Sequence, residues 1–207
     1  NISIYQRLGK LIKQHLSTFF VMRGIHMVRR AITQTFRNIV QIDTAMTELK
    51  KVTDSTSTAY NDFFDSAISK AKQFGVAITE VISATSEFAK LGYSLKDASI
   101  MADAAIVYKN VGDGIKDVQS ASQSIISTIK AFEMPVGDTM EVVDVFNEIG
   151  NKFSITSGGV GEALEKSASS LSQAGNSLAE SVALIATANT TLQNPSVVGN
   201  ALKTISL

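Results

Sequence analysis

The 207-residue chain has no cysteine. That excludes a disulfide framework, thiolate metal sites and a cysteine nucleophile. It also has no tryptophan, and histidine occurs only as His15 and His26. The two prolines, Pro135 and Pro195, leave long stretches with nothing to break a helix. No run approaches eighteen apolar residues, so no transmembrane helix is indicated. Runs rich in Val, Tyr and Thr between turn clusters, the mark of strands, are missing. An initiator Met and a charged–apolar–small leader pattern are missing too, and the chain reads as a piece of a longer protein.

What is present is a foldable composition, 44% hydrophobic and 18% charged. Its length suffices for one sizeable core or two small ones. The formal net charge is zero, but it is unevenly spread. Residues 1–42 hold seven basic side chains (Arg7, Lys10, Lys13, Arg23, Arg29, Arg30 and Arg37) and no acid. The remainder holds 12 basic and 19 acidic residues, a net of −7. The basic arm interleaves with Phe19, Phe20, Ile25 and Met27. Three readings are open for it: an amphipathic helix on a membrane surface, contact with nucleic-acid phosphates, or a basic helix facing acidic neighbours in its own assembly.

Glycine is absent between Gly24 and Gly75, which predicts long helix there. From Gly75 onward glycines recur, at positions where helices are expected to end in a left-handed residue. Within the glycine-free stretch, Val21, Ile25, Val28, Ile32, Thr35, Ile39, Ile42, Met46 and Leu49 follow one another at alternating steps of 4 and 3. This is a heptad seam broken only by Thr35. β-branched residues at both core positions favour three or more strands over a parallel dimer. The seam fits either one long helix lying on the rest of the chain or self-association, a trimer above all, through Ile25, Val28, Ile32, Ile39, Ile42, Met46 and Leu49.

Further on the chain repeats itself. The windows beginning at Leu91, Phe132 and Ala174 align at offsets of 41 and 42. Ser94, Pro135 and Ser177 coincide, as do Asp97, Asp138 and Glu180. This is one helix-start signal used three times. Ser94 with Asp97, and Ser177 with Glu180, fit a capping box or a close relative. Pro135 fits the first helical position, with Asp138 favourable near the positive end of the helix dipole. Each start is preceded by another helix, beginning near Glu80, Asp117 and Glu162. One more helix is expected from Thr58 to Phe74, ended by Gly75, and a last one from Asn194-Pro195. The expected fold is all-α: a long N-terminal helix followed by repeated antiparallel helical hairpins. Two domains are expected, a basic arm and heptad helix over 1–56 and a hairpin-repeat domain over 57–207.

Catalytic patterns are not found. HExxH and GxSxG are absent, and no carboxylate lies near either histidine in sequence. Gly158-Gly159-Val160-Gly161 lacks the Lys-Ser/Thr of a phosphate loop and reads as the approach to a helix. The pairs Asp62/Asp65 and Asp113/Asp117 read as solvated faces and caps rather than paired glycosidase acids. No catalytic residue, cofactor or metal is expected.

From Ala31 onward the chain resembles the core domain of phage tail tape-measure proteins of the lactococcal-phage type. The resemblance rests on IDTAMTELKKVTDSTSTAY, AKQFGVAITEVISATSEFAKLGYSLKDA, EALEKSASSLSQAGNSLAES and VGNALKTISL, in that order. Asn200 and Lys203 depart from the family's usual small residue and arginine. The resemblance implies a structural protein, not an enzyme. It would occupy the tail lumen, set tail length during assembly in the host cytoplasm, and be ejected with the DNA. Implied partners are further copies of itself, the tail tube, the tail-tip hub and tail-assembly chaperones. A fully helical chain of this length would span about 310 Å. The capped hairpin pattern favours folding back, so this segment either is not the measuring part or opens inside the tube. A reading of a different class is a membrane-active helical protein that aids genome passage, with residues 1–42 meeting the host membrane.

Overall fold

The computed structural model describes residues 38–206, and these are helical, with no strand among them. Residues 38–52 form α1. They are followed by α2 (Ser57–Phe74), α3 (Ile78–Ala89), α4 (Leu95–Val111) and α5 (Val118–Ala131). A short 3-10 turn, Val136–Asp138, leads into α6 (Thr139–Lys152), and α7 (Ser157–Gln173), α8 (Leu178–Leu192) and α9 (Pro195–Ile205) complete the chain. The part of the heptad helix before residue 38, with Ile25, Val28, Ile32, His15, His26 and the basic arm, lies outside the described residues.

Local signals set most of these boundaries. Thr56, Ser94, Asp117, Thr156, Ser177 and Asn194 each precede a helix and accept a hydrogen bond from a backbone N–H of its first turn. Each thereby satisfies a donor that the helix itself leaves unpaired. Gly75, at φ 69°, ends α2 in the left-handed conformation that only glycine adopts without strain. Pro195 opens α9, where its missing N–H is not needed.

Two starts, at Pro135 and Glu162, differ from the sequence reading. Pro135 is not the first residue of an α-helix: it precedes the 3-10 turn, closed by Asp138 N–H donating to Pro135 C=O at 3.0 Å, and α6 proper begins at Thr139. Proline offers no side-chain acceptor, and Gly137 weakens a first α-turn, so the tighter turn forms instead. Asp138 caps α6 without a side-chain hydrogen bond. α7 starts at Ser157, ahead of Glu162, because Thr156 caps it through Gly159 N–H at 3.0 Å. α3 starts at Ile78 after Ala77, which caps nothing, and Glu80 stands in its first turn.

The core is built around Tyr108, Phe88, Phe146, Ile82, Met101 and Leu164, all inaccessible to solvent. Many buried polar residues sit between them, and hydroxyls such as those of Thr85, Ser122, Thr128 and Ser167 donate to the carbonyl four residues back. A small side chain that satisfies its own hydroxyl can be buried without an outside partner.

From Ala45 onward the helices pack as one compact body, within which two sets of neighbours can be distinguished. α2, α3 and α4 lie against one another. α7 is covered by α5, α6, α8 and α9, while α4 meets α5 and α6, and α3 meets α5. Helix–turn–helix order is therefore present along the sequence, but α5 and α6 both lean on α7.

Compact packing divides the chain between Thr44 and Ala45, within α1. The reason is the last part of α1. Leu49 is fully buried, and Thr53, just beyond the helix, accepts at its carbonyl from the Tyr60 hydroxyl at 2.9 Å. These residues belong to the helical body.

Candidate functional site

A dense set of hydrogen bonds lies where the end of α4 and the loop after it meet the start of α7. Tyr108, buried near the end of α4, donates its hydroxyl to the Ser157 carbonyl at 2.7 Å. Five residues on, Asp113 Oδ1 accepts from Ser157 N–H at 2.8 Å and from Ser157 Oγ at 3.0 Å. The Asp113 carbonyl accepts from Gly158 N–H at 2.9 Å. Asp113 thus acts as a second cap on α7, 44 residues away in sequence. A carboxylate there meets both free N–H groups and the positive end of the helix.

Small residues make this approach possible. A Cβ at Gly158 would lie 2.7 Å from the Gly114 carbonyl group, and one at Gly161 would lie 2.7 Å from Ser124 Oγ and 2.8 Å from the Tyr108 hydroxyl. Gly158, Gly159 and Gly161 therefore stand inside the first turns of α7 as points of contact, and Gly199 does the same inside α9. This corrects the expectation that the later glycines mark helix ends. That role belongs to Gly75, Gly92 and Gly175, all at positive φ, and to Gly112, which follows α4 in an extended conformation.

The electrostatics follow from burial. Burial holds the Tyr108 phenol far above its ordinary range, and the carboxylates of Glu165 and Asp113 push it further the same way. Tyr108 is therefore a fixed donor. Its ring meets Phe146 of α6 edge-on, with centroids 5.4 Å apart. Glu165 accepts from Ser124 Oγ of α5 at 2.7 Å. Elsewhere, Lys70 of α2 pairs with Asp103 of α4 at 2.7 Å. Burial raises the Asp103 carboxyl, and the Lys70 hydrogen bond and charge oppose the rise.

The cap residues singled out in the sequence fall at three separate helix starts. Ser94 Oγ accepts from Asp97 N–H at 3.1 Å and donates to the Asp97 carboxylate at 2.8 Å, so the second half of a capping box is replaced by a side-chain pair. Ser177 and Glu180 make the full box, with Glu180 Oε2 accepting from Ser177 N–H at 2.8 Å. The Ser177 backbone and side-chain hydrogen bonds hold Glu180 below its ordinary carboxyl range. Asp117 is lowered in the same way by the Ser120 backbone and hydroxyl. Asp62 and Asp65 are exposed on α2.

Of the seam residues, Ile39 is 58% exposed, and Ile42 and Met46 are half-buried. Leu49 departs from the expectation: it fills the core of the helical body and is not open to a second chain. Sequence reasoning missed the reach of Asp113 and the buried role of Tyr108. The only signal for the former was an aspartate between two glycines, and nothing local marked its partner.

Among the described residues, no group of three or more His, Asp or Glu is placed to hold a metal ion. No described helix is long and apolar enough to cross a membrane. An open groove of about 600 Å³ runs between α2 and α4, with Phe63, Leu95 and Ile100 on its apolar side and Asp62, Lys70 and Lys96 on its polar side.

Fold and site together define an all-helical protein whose polar side chains cap helices and tie them to one another. Residues 65–207 match the family described as phage-related minor tail protein, and the chain belongs to that family. Its setting is the phage tail, and its role there is structural. No solved structure matches the chain.

Proposed function

We propose that this chain is part of a tape-measure protein of the lactococcal-phage type, which sets tail length, scaffolds assembly of the tail tube from its lumen and leaves with the DNA. The observation that carries the reading is the family match over 65–207, within which three of the four resembling segments lie in order. The role is non-enzymatic. Further copies of the chain associate through the heptad seam ahead of Leu49, and the tube, the tail-tip hub and assembly chaperones are the other partners. The two faces of the reading meet in the fold: capped helices that are stable while folded, joined by short turns along which a confined chain can extend.

Tail length tests this directly. An in-frame deletion of residues 157–192, which hold α7 and α8, removes 36 residues. If the segment is extended in the tail, electron micrographs show tails shorter by about 54 Å, at ~1.5 Å per residue. Complete tails of unaltered length exclude this region from length setting.

A further inference from the structure

The loop between α4 and α5 joins the α2–α4 group to α5–α9, and it runs Gly112-Asp113-Gly114-Ile115-Lys116-Asp117. Gly114 lies at φ +74°, a conformation that other residues seldom adopt. A loop with two glycines is a natural hinge. In this fold its second residue is tied down: the Asp113 carboxylate and carbonyl take three donors from Ser157 and Gly158, and Tyr108, from the α4 side of the hinge, donates to Ser157 as well. The four bonds converge on two residues of α7.

The remainder of the boundary is of a different kind. α4 meets α5 and α6, and α3 meets α5, through side-chain packing that includes the Tyr108–Phe146 ring contact. At the far end of α5, Lys130 sits over the half-buried Tyr93 ring at 4.8 Å, a contact of modest strength. Directional bonds are gathered at the hinge, and non-directional packing lies away from it.

We propose that Asp113 and Ser157 form a latch on this hinge. While it is closed, the α2–α4 group is held against α5–α9 in one orientation. When it opens, the two groups swing apart about residues 112–117 with their helices intact, and the face around Tyr108 and Phe146 becomes accessible. The latch does not depend on the tape-measure reading, since it is a property of the folded chain. It breaks at one place because three of the four bonds share two acceptor groups on Asp113, and the fourth ends on Ser157 beside them. Loss of the carboxylate removes two of the bonds and leaves the Ser157 N–H, inside the fold, without its partner.

The chain has no native cysteine, so a pair of introduced cysteines carries spin labels without background. Labels at Ser69→Cys on α2 and Ala183→Cys on α8, both exposed positions, straddle the hinge. Pulsed dipolar spectroscopy on the full chain reads their separation. The parent gives one narrow distance. Asp113→Ala adds a longer, broad distance, with the open population raised on the order of tenfold. Gly114→Ala, whose Cβ would meet Thr156 Oγ1 at 2.8 Å, does the same by forcing the loop away. Asp113→Asn keeps an oxygen acceptor and keeps the parent distance. Far-ultraviolet circular dichroism stays at parent helicity in all three. The proposal is overturned if Asp113→Ala leaves the distance distribution unaltered. It is equally overturned if the long distance appears only together with loss of helicity, because the bonds then serve global stability and not a hinge.

Discussion

At the scale of single residues, the helix caps are the features closest to the sequence. Ser177 and Glu180 are three positions apart, and their exchange of hydrogen bonds needs nothing from the rest of the fold. A short-range rule was enough to find them. Asp113 was hidden for the converse reason: its acceptor role depends on the arrival of a helix from 44 residues downstream, which no local pattern encodes. The cap at Ser177 gives a measurable expectation. Ser177→Ala should destabilise the fold by about 1 kcal/mol, read from the urea midpoint. The same variant should also move a proton. Glu180 titrates below its ordinary value of 4.5 because the Ser177 backbone and hydroxyl bond its ionised form. A carboxyl lowered in the folded state contributes stability above its unfolded value and loses it as pH falls through the folded one. The Glu180 contribution is thus complete at neutral pH and fades on acidification below the ordinary carboxylate range. In Ser177→Ala, the Glu180 titration followed by carbon NMR should move back up toward 4.5. A midpoint that stays where it was would show that the hydroxyl is not among its causes.

At the scale of elements, helix existence was legible and helix partnership was not. Caps and turn residues predict α2 at both ends, and the starts of α8 and α9, almost to the residue, because Gly75, Ser177 and Asn194-Pro195 mark them locally. The same signals say little about which helix touches which. The repeat at 41 and 42 residues shows a shared start signal, yet α5 and α6 lie on α7. What lets α5, α6, α8 and α9 all reach α7 is its run of small residues, and a glycine in a helix reads locally as a weak point or an end. The α7–α9 contact makes this testable. Gly199 of α9 lies so near α7 that a Cβ would stand 2.6 Å from the Ala163 carbonyl oxygen. Backbone cannot step aside as a flexible side chain can. Gly199→Ala should therefore cost about 1–3 kcal/mol despite alanine's better helix propensity. Gly137 is the control, since nothing lies within 4 Å of a Cβ placed there. Gly137→Ala should be neutral or stabilising by up to about 1 kcal/mol. Equal effects at the two positions, by urea denaturation, would refute the close-packing account.

At the scale of the whole molecule, the sequence places the division of the chain in the cluster of Asp, Ser and Thr after residue 52, where turn residues gather. The structure places it between Thr44 and Ala45. The difference is physical: a turn signal marks where a helix stops, while a domain boundary depends on which side chains are buried together. Leu49 lies before the turn and is buried beyond it, in the helical body. Tyr60 reinforces the attachment through its hydroxyl bond to the Thr53 carbonyl, and the Lys50 ammonium sits 5.4 Å from its ring centre. Two fragments separate the alternatives. Residues 45–207 keep Leu49 and should fold with a cooperative urea transition. Residues 57–207, cut at the boundary that the turn cluster suggests, lose Leu49, Thr53 and the cover of Tyr60. Removal of a fully buried leucine alone costs about 2–5 kcal/mol, so this fragment should unfold at a clearly lower urea concentration. Leu49→Ala in the 45–207 fragment should reproduce most of that loss in a single substitution, which separates the buried side chain from the shortened chain. If 57–207 is as stable as 45–207, the end of α1 is an appendage and the division after residue 56 is the true one.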